Sequence, residues 1–307
     1  MLIDNLTTKI MEKGYAARIV SIEQIYGISK EFQKLDEDGL LDPDIRNIVA
    51  NLYTCDFAKM PFPVKSVIVT ASPCSIGNVY FNWKGKRIPL IIPPTYLDYI
   101  DKPKEIKKIL QEVLTDKNYH IEIAYDLPVK IIAAKSGLSQ YGKNNIAYIP
   151  GMGSFAQLTT FYSDLPCNEN NWNDISMMEY CKTCNACMEN CPTGAITPDR
   201  FLVKVEKCIT YYNEISDADD FPEWINPSAH NSIVGCMHCQ TCCPINKKYL
   251  DNIVEVEEFT ADETELILKG VPADNLLPKT IEKLERLYLM VYYGKLSRNI
   301  KVLLENR

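Results

Sequence analysis

Apolar residues in the first part of the chain recur with a helical period. In residues 1–60, Ile19, Ile22 and Ile25 lie three residues apart among polar residues, which is typical of one face of a helix. Residues 102–115 show a similar pattern, with apolar residues three or four positions apart among charged ones. These patterns predict a mostly helical N-terminal region and a later amphipathic helix.

Shorter apolar runs between these helices predict strands. Residues 66–70 read Ser-Val-Ile-Val-Thr, as in a buried strand, and 121–125 form a second short run. Residues 79–90 fit a hairpin, because Lys84 and Gly85 mark a turn between two apolar stretches. The alternation of helices and strands predicts a fold of the α/β (α+β) class that continues to about residue 170.

The rest of the chain departs from this alternation. Residues 175–250 have little hydrophobic period but carry nine of the twelve cysteines, so we expect something other than side-chain packing to organise them. Residues 251–307 return to a helical pattern. We therefore predict an α/β domain over 1–174, a ferredoxin-like domain over 175–250 and a C-terminal helical segment packed on the α/β domain.

Composition and charge narrow the class of protein. The chain has 307 residues, 46% hydrophobic and 24% charged, which excludes a disordered, collagen-like or small disulfide-stapled chain. Its net charge of −7 argues against general binding of polyanions. The sequence contains no apolar run of about 18 residues and no signal-peptide pattern, so we expect a cytoplasmic protein without a membrane partner. Clustered cysteines in that compartment bind metal or carry out redox chemistry.

The first cysteine motif has the spacing of a bacterial ferredoxin. Cys181, Cys184 and Cys187 are three positions apart, and Cys191 follows after three intervening residues and precedes Pro192. In this pattern three thiolates bind one [4Fe–4S] cluster and the fourth binds a second cluster.

A second motif supplies further ligands. Cys236, Cys239 and Cys243 repeat the end of the ferredoxin run, with a proline after the last. The motif is one cysteine short, and Cys208, between the two motifs, completes the count. Cys242 competes with Cys243, which we prefer because Cys191 is also followed by a proline.

The crossed pattern of ferredoxins divides eight cysteines between two clusters. The alternative is a structural zinc ribbon, since pairs of cysteines with this spacing also bind zinc. The two runs that end in Cys-Pro favour iron–sulfur clusters. The first cluster takes Cys181, Cys184, Cys187 and Cys243, and the second takes Cys191, Cys208, Cys236 and Cys239.

Residues outside the cysteine motifs resemble a known family. Segment 131–166 contains Ala-Ala-Lys-Ser-Gly-Leu, Gly-Lys-Asn, Gly-Ser-Phe and Ser-Asp-Leu-Pro, which are similar to the cobalamin domain of epoxyqueuosine reductases. Lys-Cys-Ile-Thr-Tyr at 207–211, Cys-Cys-Pro-Ile-Asn at 242–246 and the Arg-Asn segment at 297–304 continue the resemblance. Reductive dehalogenases are relatives of this family.

The resemblance implies a cobalamin held between the α/β domain and two clusters. In the family, electrons pass from the clusters to cobalt, which attacks an epoxide on a tRNA nucleoside and completes queuosine synthesis. None of the three histidines lies in the Asp-x-His-x-x-Gly pattern of corrinoid carriers, so a carrier-type site is disfavoured. The cofactor-binding candidates are Gly137, Tyr141, Lys143, Asn144, Asn145, Tyr148, Gly153, Ser154, Phe155 and Thr210.

The resemblance also implies a proton donor. The family has an aspartate in an Asp-x-x-Pro pattern, and Asp126 is the candidate here, with Pro128 one residue closer. A desolvated carboxyl suits a general acid. The alternative is that Asp126 caps the helix that begins at Pro128. Tyr125 and Tyr141 are further candidate donors.

Two substrate classes and one non-enzymatic role compete. The family and seven basic residues in 279–307 favour tRNA, whereas the acidic chain, with Asp217, Asp219, Asp220 and Glu223 in one run, disfavours it. The alternatives are a reductase for a small molecule or a corrinoid protein, and a ferredoxin-like electron carrier without cobalamin. A reductase also needs an external low-potential donor of the ferredoxin or flavodoxin type.

Overall fold

The fold is that of a computed structural model, which describes residues 2–114, 118–168, 172–216, 218 and 220–306. Asp217 and Asp219 of the acidic run and Arg307 of the basic tail lie outside these residues. The strands are β1 (Ala16–Ser21), β2 (Ser66–Pro73), β3 (Ile76–Trp83), β4 (Lys86–Ile92), β5 (Ile121–Ile123), β6 (Gln140–Tyr141), β7 (Ala147–Tyr148), β8 (Ala156–Ser163) and β9 (Ile253–Phe259). The α-helices are α1 (Leu2–Glu12), α2 (Ile22–Ile25), α3 (Ile28–Glu37), α4 (Pro43–Leu52), α5 (Asp101–Leu114), α6 (Val129–Lys135), α7 (Ala186–Glu189), α8 (Ile209–Glu214), α9 (His238–Thr241), α10 (Ala261–Leu268), α11 (Pro278–Arg286) and α12 (Tyr293–Glu305).

The chain forms two compact units, each made of two stretches. Unit 1 comprises Met1–Pro73 and Ile100–Cys184, and unit 2 comprises Cys74–Tyr99 and Asn185–Arg307. The limits of these compact units differ from the domain boundaries near residues 174 and 250 that the sequence predicts. Those domain boundaries stay a prediction. The predicted hairpin is grouped with the C-terminal part of the chain because β3 pairs with β9.

Unit 1 is built on an antiparallel sheet in the order β1-β2-β8-β5. Side chains alternate between its two faces, as the period of a strand requires. On β2, Ile68 belongs to the core that includes residues of α1 and α5, whereas Val67 and Val69 belong to the core that includes residues of α6. The apolar run predicted as a buried strand is therefore covered on both faces.

One predicted helix in unit 1 is a strand. Ile19 lies in β1, which pairs with β2 through residues such as Val20, opposite Val67. Ile22 and Ile25 lie in the short helix α2, which Ser21 caps by accepting a hydrogen bond from the Glu23 N–H. The three-residue spacing of Ile19, Ile22 and Ile25 arises because a strand runs directly into a helix. The prediction of a helix was therefore wrong for Ala16–Ser21.

Unit 2 contains a three-stranded sheet in the order β4-β3-β9. β3 and β4 form the predicted hairpin, and β9 runs parallel to β3. The rings of Phe81 and Phe259 stack across these strands with centroids 4.8 Å apart, and α10, α11 and α12 contribute to the same core. The expectation of a wholly helical segment over 251–307 was therefore wrong at Ile253–Phe259, where three exposed or half-buried glutamates obscure the strand pattern.

The described part of the chain holds no helix that combines the length and the apolar character needed to span a bilayer.

Candidate functional site

The turn between β6 and β7 carries several of the predicted cofactor-binding residues. Asn144 is buried, donates from its amide to the Tyr148 hydroxyl at 3.1 Å and accepts from the Ile146 N–H at 3.3 Å. Asn145 has a positive φ of 58°, and its N–H donates to the Gly142 carbonyl at 2.9 Å. Two of the predicted residues, Asn144 and Tyr148, thus bind each other and stabilise the turn.

The same turn contacts the start of the first cysteine motif inside unit 1. The Lys143 ammonium donates to the carbonyl oxygen of Cys184 at 2.7 Å. Tyr141 forms a parallel bridge with Met177, and its carbonyl accepts from the Met178 N–H at 2.8 Å. Burial raises the pKa of the Tyr141 hydroxyl, which makes this candidate donor a weaker acid.

A second glycine-rich turn follows β7. Ile149 and Gly153 exchange backbone hydrogen bonds of 2.8 and 3.0 Å, and the enclosed Gly151 has a φ of 83° with open space where a side chain would begin. Ser154 and Phe155 are each 1% exposed. The turn offers open backbone at Gly151, whereas Ser154 and Phe155 point into the protein.

Gly137, the remaining glycine among the candidates, terminates α6. Its φ is 74°, and its N–H donates to the Ala134 carbonyl at 3.0 Å, as expected after a helix C-terminus.

Asp126 lies at the centre of a hydrogen-bond cluster in unit 1. Its Oδ2 accepts from the Asp56 N–H at 2.7 Å and from the Thr54 hydroxyl at 3.4 Å, and its Oδ1 accepts from the Tyr162 hydroxyl at 2.9 Å. Helix α6 begins after Pro128 and has no side-chain cap, so the alternative of a helix cap was wrong. The cluster holds the carboxylate in one orientation.

Two neighbours of Asp126 have altered acidities. Burial and then the Asp126 charge raise the pKa of the Cys55 thiol to about 11. Burial, the hydrogen bond to Asp126 and its charge raise the pKa of the Tyr162 hydroxyl. Sequence reasoning missed Tyr162 because only the pairing of β8 in the sheet brings it to Asp126. Tyr125, the other candidate donor, is 54% exposed.

Three predicted ligands of the second cluster lie together in unit 2. Cys191, Cys208 and Cys236 are close enough for the charge of Cys191 to raise the pKa of both Cys208 and Cys236. Burial is the largest cause in both cases, and the Cys236 pKa rises to about 12. Such a group of thiols releases its protons readily only when a positive metal centre compensates the charge.

Hydrogen-bond donors surround these sulfurs. Burial opposes ionisation of Cys191, but donors from Thr193, Ala195 and Ile196 together lower its pKa. Burial raises the pKa of the Cys208 thiol, and donors from Thr210 and Tyr211 oppose this shift. The structure thus places Thr210, a predicted cobalamin contact, beside a predicted cluster ligand.

The two cysteine motifs each contain a short helix, and these helices are in contact. α7 carries Cys187 and α9 carries Cys239, and α7 packs against α9 within unit 2. His238, in α9, bonds through Nε2 to the Ala229 carbonyl at 2.9 Å. His230 is buried.

All twelve cysteines are among the described residues, and none of them forms a disulfide. In the described part of the chain, no group of three His, Cys, Asp or Glu side chains is placed so that it could hold a single metal ion. A cubane cluster offers a separate iron atom to each thiolate, so its ligands need not converge on one point.

Comparison with a family model identifies the cysteine region. Residues 180–246, which contain all eight predicted ligands, match the model of the 4Fe-4S double cluster binding domain. The prediction of two [4Fe–4S] clusters is confirmed.

Curated sequences similar to this chain are named epoxyqueuosine reductase. The protein of Leadbetterella byssophila is 40% identical over 117 residues, 38% of this chain and 36% of that protein. The protein of Cyclobacterium marinum is 35% identical over 150 residues, 48% of this chain and 46% of that protein. The matched regions therefore cover less than half the length of each of these relatives.

Solved structures extend the similarity over the whole chain. Epoxyqueuosine reductase from Bacillus subtilis, in a form with its catalytic loop swung out of the active site, has a TM-score of 0.67 at 19% identity and covers 98% of this chain and 80% of that one. The enzyme of Streptococcus thermophilus has a TM-score of 0.66 at 18% identity, covering 100% and 82%. The resemblance predicted from the sequence is thus confirmed, and the chain has the fold of the epoxyqueuosine reductases.

Proposed function

We propose that this chain is an iron–sulfur and cobalamin-dependent reductase that converts epoxyqueuosine to queuosine in tRNA. The observation that carries the proposal is the extent of the fold similarity, which covers 98% of the chain and not only the cysteine region. A ferredoxin-like electron carrier needs the double-cluster domain alone. A chain that also has the rest of the reductase fold is better explained as an enzyme.

The cysteines would hold two clusters that supply single electrons. In the second, Cys191, Cys208 and Cys236 fit a negatively charged cluster because backbone and hydroxyl donors point at two of the sulfurs. By spacing, Cys239 is the fourth ligand. The first cluster, with Cys181, Cys184, Cys187 and Cys243, rests on the spacing and on the family model.

Cobalamin is the second proposed cofactor, and when bound it supplies a low-valent, nucleophilic metal centre. Within unit 1, the open backbone at Gly151 and the half-buried Lys143 and Asn145 are the groups offered to the corrin. His120 and His238 bind Asp164 and the Ala229 carbonyl, and the third histidine, His230, is buried against Phe221 in unit 2. A cobalamin that receives no histidine from this chain fits these observations.

Asp126 remains the proposed proton-delivering group. The Tyr162 hydroxyl donates to its Oδ1, and the Asp56 N–H fixes its Oδ2. We propose that these two contacts orient the carboxyl toward the substrate, and that Asp126, after it has taken up a proton from solvent, gives that proton to the departing oxygen. The electrons come from an external low-potential donor, and we place the reaction in the cytosol, where thiols stay reduced.

The proposed substrate follows from the structural comparison. One similar solved structure, at 18% identity and a TM-score of 0.61, is described as an epoxyqueuosine reductase with an epoxyqueuosine-modified tRNA stem loop. We propose epoxyqueuosine-modified tRNA as the substrate of this chain as well.

The test is reduction of modified tRNA by the reconstituted protein. The chain is loaded anaerobically with iron, sulfide and cobalamin and incubated with a chemical reductant and tRNA that carries epoxyqueuosine. Nucleosides from digested tRNA are measured by mass spectrometry. We expect queuosine from the native chain, none from Cys208→Ser, and native activity from Cys74→Ser, which removes a thiol outside both motifs.

The other outcomes select between the alternatives. Retained cobalamin without queuosine would favour a reductase with another substrate. A protein that holds its clusters but no cobalamin would favour the electron carrier.

A further inference from the structure

The C-terminal helix α12 reaches two separate backbone segments of unit 2 through one side chain. Asn299 is 1% exposed, and its Nδ2 donates to the carbonyl oxygens of Asn213 and Ile233, each at 3.0 Å. A side-chain amide nitrogen carries two hydrogens. Both are used here, so Asn299 joins two segments that are otherwise twenty residues apart in sequence.

Each of these segments leads to a predicted ligand of the second cluster. Cys208 is the N-cap residue of α8, and Asn213 is in the last turn of this six-residue helix. Ile233 precedes Cys236 by three residues. The distance between the two carbonyls therefore bears directly on the separation of the two thiolates.

Further contacts hold the residue next to Cys236. The Asn213 amide donates to the Gly235 carbonyl at 2.8 Å, and the Gly235 N–H donates to the Glu214 carboxylate. The Tyr96 hydroxyl also donates to Glu214 and lies where a side chain on Gly235 would begin. Both backbone groups of Gly235 are thus bound, and Asn299 connects this arrangement to α12.

We propose that Asn299 is a positioning residue of the second iron–sulfur cluster, which keeps the backbone after Cys208 and the backbone before Cys236 at a fixed separation. Residues behind metal ligands orient them, and their loss weakens metal binding although they never touch the metal. Loss of the Asn299 amide would leave the buried carbonyls of Asn213 and Ile233 without this donor. The two backbone segments would then be free to shift.

The neighbouring Arg298 provides a contrast on the same helix. Its guanidinium donates to the carbonyls of Tyr212 and Ala218 and lies over the ring of Phe221. These contacts hold the end of α8 but not the backbone before Cys236. In the part of the chain that the structure describes, Asn299 is therefore the side chain of α12 that binds both ligand-bearing segments.

The experiment compares iron release from Asn299→Asp with that from Asn306→Asp. The Asp at 299 keeps the size of the side chain but replaces the two donors with an acceptor. Asn306 is an exposed asparagine at the end of the same helix, bonded to the Val302 carbonyl at 2.7 Å, and serves as the matched control. Each reconstituted protein is exposed to an iron chelator, and the Cys208→Ser spectrum by electron paramagnetic resonance identifies the signal of the second cluster.

We expect Asn299→Asp to lose the second cluster about 10- to 100-fold faster than the native chain, with the first cluster released at the native rate. The midpoint potential of the second cluster should shift as well, whereas Asn306→Asp should match the native chain in both measurements. Asn299→Gln keeps the two donors on a longer stem, and a faster release from the second cluster is expected there too. If Asn299→Asp does not fold, Asn299→Gln carries the comparison.

Equal release from the Asn299 and Asn306 variants would overturn the inference, and so would loss of both clusters together. The inference rests on the proposed second cluster, and the iron content of the native chain separates the two failures. About four iron atoms in the native chain, not about eight, would overturn the cluster assignment itself. About eight in the native chain with a silent Asn299 substitution would overturn only the role of Asn299.

Discussion

At the scale of single residues, His230 is a buried titratable group. Its ring lies 4.1 Å from that of Phe221, centroid to centroid, and neither ring nitrogen has a hydrogen-bond partner in the described part of the chain. Burial, followed by the charges of Arg298 and His238, lowers its pKa from 6.5 to about 4. The folded protein therefore holds His230 neutral well below neutral pH.

This shift predicts a loss of stability in acid. Between about pH 6.5 and pH 4 the unfolded chain binds a proton on His230 and the folded chain does not, so the free energy of unfolding falls as the pH falls, by about 3 kcal/mol over the full range. We expect the apparent melting temperature of the native chain to fall relative to that of His230→Phe as the pH is lowered from 7 to 5. A difference that does not change with pH would contradict the assignment.

Asp126 shows which properties of a residue depend on distant parts of the chain. The resemblance in sequence pointed to this carboxylate, but its partners Asp56 and Tyr162 lie 70 and 36 residues away. No local pattern identifies Tyr162 as a partner, because its side of β8 is set by pairing with β2 and β5. The cysteine ligands, by contrast, follow from spacing alone, since neighbouring thiolates of one motif must reach the same cluster.

At the scale of elements, the turn between β6 and β7 is tightly packed around Gly142. A methyl group there would lie 2.5 Å from both the Asn144 Oδ1 and a ring carbon of Tyr148. We expect Gly142→Ala to reduce the free energy of unfolding by about 1–3 kcal/mol, as overpacking usually does. Thermal unfolding of the reconstituted protein measures the change.

The matched control for this substitution is Gly294→Ala. Gly294 lies in the first turn of α12, and a methyl group there meets no atom within 4 Å. The substitution should be neutral or stabilising by about 0.4–1 kcal/mol. Equal melting temperatures for the two alanine variants would contradict the packing of the turn.

A buried ion pair joins α10 to α11. The Lys283 ammonium donates to the Glu263 carboxylate at 2.7 Å, and both side chains are at most 6% exposed. Glu263 also forms the capping box of α10 with Thr260. We expect Lys283→Met to cost about 3–5 kcal/mol in unfolding free energy, because it leaves a buried carboxylate without its charge partner.

The exposed pair Lys269–Glu265 of α10 provides the comparison. Lys269→Met should cost at most about 1 kcal/mol, since solvent screens this pair. Unfolding of all three proteins in denaturant under the same conditions gives both differences. Similar costs would show that the Lys283 pair is not buried in solution.

Local patterns identified some elements and missed others for physical reasons. The strand β2 is apolar on both faces, and the hairpin turn at Lys84 and Gly85 has the positive φ values that favour glycine, so both were found. β9 was missed because its glutamates bind side chains on strands that are distant in the sequence. For example, the Asn82 amide of β3 donates to the Glu258 carboxylate of β9 at 2.8 Å. A strand that gains its stability from such long-range pairs has little local signal.

At the scale of the whole molecule, the net charge of −7 means that the proposed tRNA substrate would need local basic regions on the protein. The candidate in unit 2 is a groove of about 730 Å³, whose lining includes Lys295, Arg298 and Lys301 of α12 together with the acidic residues Asp220 and Glu305. Lys301 is exposed, so we expect Lys301→Gln to weaken binding of tRNA and to lower the slope of log affinity against log salt by about one.

Lys269→Gln is the control, because Lys269 is paired with Glu265 on another helix of unit 2. Affinities for modified tRNA are measured over a series of salt concentrations. If the slope of log affinity against log salt is the same for Lys301→Gln as for the native chain, Lys301 does not contact the RNA.

The parallel pairing of β3 with β9 has a consequence for synthesis on the ribosome. The hydrogen bond from Asn82 to the Phe259 carbonyl spans 177 residues, so the hairpin emerges long before the strand that covers its edge. At typical translation rates the wait is about 10–30 s. During that time the open edge of β3 is available to other strands, and a nascent chain that stalls before residue 253 would be prone to aggregate through it.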